Sequence, residues 1–167
     1  MQLRLLLRPH GIVGGVGAVA GLSALAAAYL PWYAVQVQVQ ALGRAQTGTV
    51  ASLPGWQSHP WGWLVPAVAL VAVVIALSVA MDRSLPIAGD LQLAGGVSLA
   101  VLAGLGALTF PPVARFDVAG SRLRELAGVT LPSDVEMSFS VGPAIGLWIT
   151  LASAALLVAS GLASREL

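Results

Sequence analysis

The chain has 167 residues, of which 57% are Ala, Val, Ile, Leu, Met, Phe, Trp, Tyr or Cys, with 19 glycines besides. Only 9% are charged, where a soluble domain carries about 25%. So few charges cannot cover a soluble globule, a disordered chain would be far less apolar, and a net charge of +1 is no electrostatic footprint for nucleic acid. What remains is an integral membrane protein. The absence of Cys excludes disulfides, thiolate nucleophiles and cysteine metal sites. Lys and Asn are absent too, and because their codons are AT-rich this points to a GC-rich bacterial genome.

Arg4, Arg8 and His10 precede the first long apolar segment, residues 11–30, which has no charge. Its small-residue end, Ala26-Ala27-Ala28, imitates a secretory cleavage site, but the run is longer than a usual signal core, so a retained membrane helix is expected. A first outer loop, 31–62, opens on Pro31-Trp32-Tyr33, aromatic residues suited to the headgroup level. Val35-Gln36-Val37-Gln38-Val39-Gln40 alternates strictly, the mark of a strand with one apolar face. A turn over 43–48 and a second strand over 49–53 complete the expected hairpin. The loop closes among Trp56, Trp61 and Trp63.

The second apolar segment, 63–81, and the third, 91–110, are also uncharged, and a tight connection from Asp82 to Asp90 joins them. A second outer loop, 111–140, contains Ser121–Ala127, which reads as a short surface helix ended by Gly128, and then Val135, Met137, Phe139 and Val141 in alternation with Glu136, Ser138 and Ser140. Because three strands persist where a lone hairpin is marginal, this strand is expected to join the first-loop hairpin. The fourth segment is 141–163. Each segment is long enough to cross about 30 Å of hydrocarbon, and only a helix satisfies its backbone there. The fold expected is therefore an all-α membrane protein of one domain, a four-transmembrane-helix bundle with a small extracytoplasmic β-sheet cap. Arg4, Arg8, Arg83 and Arg165 crowd into short segments on one side, which places both termini in the cytoplasm of a bacterial cell.

No ionisable residue falls within these spans, so an ion-coupled transporter lacks its usual parts. His10 and His59 lie on opposite sides of the membrane and cannot share a metal. The serines near His59, Ser52 and Ser58, lack a nucleophile motif, and Asp134 with Glu136 reads as a solvated strand face. No catalytic residue, metal or cofactor is therefore expected. The glycines carry more signal. Gly11 and Gly15, Gly17 and Gly21, Gly96 and Gly104, and Gly142 and Gly146 have the small-residue spacing that lets helix backbones approach, within the bundle or against another subunit. Trp32, Tyr33, Trp56, Trp61 and Trp63 are expected at the outer interface. The two halves share a layout, with Val65-Pro66-Ala67-Val68 and Gly142-Pro143-Ala144-Ile145 in matching places.

Leu30-Pro31-Trp32, the Val-rich strand, Thr49-Val50, Gly55-Trp56 and Leu64-Val65-Pro66-Ala67 resemble small actinobacterial four-helix membrane proteins, in particular the tryptophan-biosynthesis-associated membrane proteins. The resemblance covers mainly residues 22–80 and brings no catalytic residues with it. The layout is also similar to that of claudin-type proteins, without their cysteine pair. The function expected is a non-enzymatic accessory or assembly subunit of a larger membrane complex, its partners the bilayer and other membrane subunits. The alternatives are an oligomeric small-molecule or lipid transport component, whose cavity Gln36, Gln38, Gln40 and Gln92 would line, and an outer-surface binding or sensor module.

Overall fold

The computed structural model describes residues 9–41, 44–81, 87–111 and 135–166. In chain order these form α1 (Pro9–Tyr29), β1 (Pro31–Ala41), β2 (Arg44–Pro54), the short α2 (Gly55–Ser58), α3 (Leu64–Ala80), α4 (Ala88–Leu108), β3 (Val135–Pro143) and α5 (Ile145–Arg165). Three helices, α1, α4 and α5, each have 21 residues and are long and apolar enough to cross a membrane, while α3 has 17. The expected surface helix at 121–127 lies outside the described residues, as do Arg4, Arg8, Arg83 and Asp134.

α1 is the hub of the bundle, packed along α3 on one side and α5 on the other. α4 lies against α5 and makes a thinner contact with α3. On α1 the side-chain sizes are arranged inversely to a soluble core. All nine buried residues of α1 are Gly or Ala, from Gly11 to Ala28. Its larger side chains, Ile12, Val16, Val19 and Leu22, face outward. Small residues inside let the helix backbones come close.

The three strands form one antiparallel sheet in the order β2-β1-β3, so the strand of the second loop does join the first-loop hairpin. Alternation holds along β1. Val35 and Val37 are buried, and Gln36, Gln38 and Gln40 are exposed. The second strand begins earlier than expected. Ala41 pairs with Arg44, and residues 44–48 belong to the second strand rather than to a turn.

The fourth helix also needs correction. Val141, Gly142 and Pro143 remain in β3, and the helix begins at Ile145. The ladder with β1, in which Tyr33 faces Pro143, holds these residues extended. Gly142 thus shares no helix with Gly146, and their spacing is not a helical face. Pro66 lies in the first turn of α3, whereas Pro143 ends a strand, so the two proline motifs occupy different positions. At the opposite end α4 and α5 run further than the apolar segments did, taking in Asp90 and Arg165. These two form an ion pair. Asp90 sits in the first turn of α4 and Arg165 in the last turn of α5, so each also meets the favourable end of its helix dipole.

Candidate functional site: the helix–sheet junction and the glycine faces

The sheet caps one end of the bundle, and its central strand supplies the junction. Successive strand residues normally point to opposite faces, yet Trp32 and Tyr33 are both fully buried. The pairing explains this. Register shifts between Pro31 and Tyr33, leaving Trp32 as an unpaired bulge residue that turns inward beside its neighbour. Neither ring is exposed at the surface, where a headgroup anchor would stand. They are the largest side chains of the core.

Trp32 Nε1 donates to the Ala27 carbonyl at 3.1 Å, closing the last turn of α1. Its ring lies where a side chain on Gly55 would stand, and about 3.0 Å from where one on Gly106 would stand. A side chain on Gly55 has no room because the indole occupies that space, and one on Gly106 would press against the indole edge. The Trp32 carbonyl accepts from the Ala144 amide at 2.7 Å, which ties the start of α5 to β1.

Tyr33 reaches the end of α4. Its hydroxyl donates to the Gly106 carbonyl at 2.6 Å and lies 3.0 Å from His59 Nε2. A phenol has one proton, so when that proton goes to Gly106 it is the His59 Nε2–H that donates to the Tyr33 oxygen. Burial pushes the Tyr33 phenol up from 10.0 to about 12. The His59 ring stacks flat on Trp61 at 4.5 Å, and Phe110 meets Tyr33 edge-on at 6.0 Å. Trp61 is thus half-buried in this cluster, while Trp56 and Trp63 are exposed. His10 lies at the far end of α1 from His59, and among the described residues no cluster of His, Asp or Glu could hold a metal ion.

The glycines divide into those the bundle uses and those it does not. Gly11 is buried in α1. A side chain on Gly21 would come 2.7 Å from Val73 Cγ2, and one on Gly96 would come 2.8 Å from the Val158 amide nitrogen. One on Gly146 would meet the carbonyls of Pro31, Ala27 and Leu30, none more than 2.9 Å away. Among the described residues, a side chain on Gly15, Gly104 or Gly142 would meet nothing within 4 Å, so close contact with those residues does not account for them. Several tight positions escaped the sequence reading, two of them against the backbone of a neighbouring helix. Gly14 would meet the backbone of Ala80, and Gly161 the backbone of Leu93. The readable signal was the helical period itself. Gly14, Gly17 and Gly21 share a face at i, i+3 and i+7, which the four-residue spacing of Gly11 and Gly15 obscures.

A scan against protein-family models gives no match, and a search of curated proteins gives none either. The resemblance noted above accordingly stands on its quoted residues alone.

One polar cluster lies inside the bundle. Gln92 is fully buried, and its Nε2 donates to Ser160 Oγ at 2.6 Å. Ser160 in turn donates to the Val13 carbonyl at 2.8 Å. This chain of bonds joins α4 to α5 to α1. Its amide rests where a side chain on Gly17 would go. Gln92 Oε1 is buried without a partner among the described residues. Gln92 therefore shares no lining with Gln36, Gln38 and Gln40, which lie exposed on the sheet. A lone amide in a 21-residue apolar helix was visible in the sequence, but its partner Ser160, 68 residues away, was not.

Proposed function

We propose that this chain is a four-span integral protein of a bacterial cytoplasmic membrane, both termini cytoplasmic, acting as a non-enzymatic accessory or assembly subunit of a larger membrane complex. The membrane placement is supported by three helices of sufficient length and by their outward-facing Val, Leu and Ile side chains.

The observation that carries the subunit role is the pair of glycines the bundle leaves unused. Glycine within a helix costs roughly 1 kcal/mol relative to alanine. Gly15 sits among exposed Ile12, Val19 and Leu22, and Gly104 among exposed Val101 and Leu108. Each makes a shallow notch in an apolar helix face, the shape a partner helix needs for close approach.

Purification of the full chain in native detergent, with mass spectrometry of what accompanies it, tests this. A stoichiometric partner is expected, and Gly15→Leu with Gly104→Leu should reduce its recovery without disturbing the fold. A monodisperse monomer with no stoichiometric partner overturns the subunit role. An outer-surface binding role is the second reading, favoured by Gln36, Gln38 and Gln40, which stand exposed together on one face of the sheet.

A further inference from the structure

The sheet has two outer edges, and among the described residues the one formed by β2 is open. β2 runs for 11 residues and pairs only with β1, where an average strand has about five or six. An antiparallel ladder uses the N–H and C=O of every second residue, and the alternate ones point to the free side. A row of such unpaired groups is a template for another strand. On β2 the row is straight at one end. Register is unbroken from Arg44 to Thr49, and the shift that leaves Val50 as a bulge comes only after Thr49. Every residue of that stretch is exposed. Lysine, acidic residues and proline, which guard many natural edges, are missing from 45–49, and Arg44 is the only charge on β2.

Gly48, within this stretch, is an independent sign. Glycine is disfavoured in strands, and a strand keeps one where it bulges or where another backbone comes close. Gly48 pairs in register with Val37, away from the bulge. It has no left-handed φ, and a side chain on it would meet nothing within 4 Å among the described residues. Neither its backbone conformation nor packing against those residues accounts for it.

We propose that residues 44–49 of β2 are the surface on which two copies of this chain join, β2 antiparallel to β2 with Thr47 opposite Thr47, so that two three-stranded sheets become one continuous sheet. Self-pairing suits this strand. In that register Gln46 of one copy lies beside Gly48 of the other, where the missing side chain leaves it room. The two Arg44 side chains stand about six positions apart along the strands, or about 20 Å, whereas parallel pairing would set them side by side. Threonine opposite threonine is a favourable cross-strand pair. The two-fold axis is normal to the sheet, so Gln36, Gln38 and Gln40 of both copies stay on one face. Each β2 edge is used once, and the pairing ends at a dimer. This contact is separate from the helix notches at Gly15 and Gly104.

The chain has no cysteine, so single cysteines report the contact. Thr47→Cys, Ser52→Cys, Gly15→Cys and Gly104→Cys are each made in the full chain and oxidised mildly in native detergent. In the proposed register the Cβ atoms at position 47 lie roughly 4.5–5.5 Å apart, close enough for a disulfide, and those at position 52 about 30 Å apart. Thr47→Cys should give a covalent dimer as its main product, and Ser52→Cys should stay uncrosslinked. The unaltered chain should have the mass of a dimer by native mass spectrometry. Thr47→Lys sets two like charges opposite one another and should shift that mass to a monomer, with helix and strand content unchanged by circular dichroism. A monomeric unaltered chain overturns the proposal. So does a folded Thr47→Lys variant that stays dimeric, or a dimer that cross-links through Gly15→Cys or Gly104→Cys and not through Thr47→Cys.

Discussion

The interior of the helix bundle and the helix–sheet junction are both tightly packed, but by opposite means. Along α1 the contact is made by what is missing. Gly14, Gly17 and Gly21 bring α1 close to α3, α4 and α5, and any added carbon must displace something. At the junction the contact is made by bulk. Trp32 and Tyr33 fill the space between the sheet and three helix ends, and hydrogen bonds to Ala27 and Gly106 fix them there. The bundle should therefore fail when atoms are added and the junction when they are taken away.

The largest effect expected is at the junction. Trp32→Ala should lower stability by about 3–5 kcal/mol, as removal of a fully buried large aromatic does, measured by thermal or denaturant unfolding in detergent. A loss below about 1 kcal/mol would mean that Trp32 is not the wedge the geometry describes.

Next come the glycines. Gly14→Ala should cost about 1–3 kcal/mol, because the methyl meets the Ala80 backbone, which cannot step aside. Gly21→Ala should cost less, since the nearest obstacle is the Val73 side chain. If the two substitutions were equal, backbone and side-chain obstacles would not differ as the comparison requires. Gly17→Ala has a separate signature. It must push aside the Gln92 amide, so Gln92→Leu should remove part of its cost in a double-mutant cycle.

Tyr33→Phe should cost about 1 kcal/mol, with the Gly106 carbonyl left unpaired. It also tests the direction of the pH effect. The folded-state value, about 12, lies above the ordinary 10.0. The stabilisation is thus fully present below about pH 10 and is lost as pH rises through about 10 to 12. The Phe variant should lack this part of the alkaline decline. The smallest stability effects belong to Gly15→Leu and Gly104→Leu, expected within about 0.5 kcal/mol because nothing stands near either site.

Much of the architecture was legible from pattern. Continuous apolar runs mark helices wherever every face meets an apolar neighbour, and the Val-Gln alternation of β1 could only be a one-faced strand. The joining of β3 to that strand followed from the weakness of a lone hairpin. The junction was harder to read. Pro-Trp-Tyr after an apolar segment has the composition of an interfacial anchor, and only a bulge, which depends on the pairing of β1 with β2, turns both rings inward. The end of β3 was hidden for a related reason. Val141-Gly142-Pro143 is as apolar as the helix that follows, and its ladder to Tyr33 is a contact across more than a hundred residues.

The sequence by itself determined the positions of the apolar segments, because hydropathy and period are local properties of the chain. Which glycines matter was decided only by tertiary structure. Gly14 and Gly15 are neighbours of identical chemistry, yet a methyl on one strikes the Ala80 backbone and a methyl on the other meets open space. The difference is a rotation of about 100° around the helix axis, and it acquires meaning only when α3 is placed against one side.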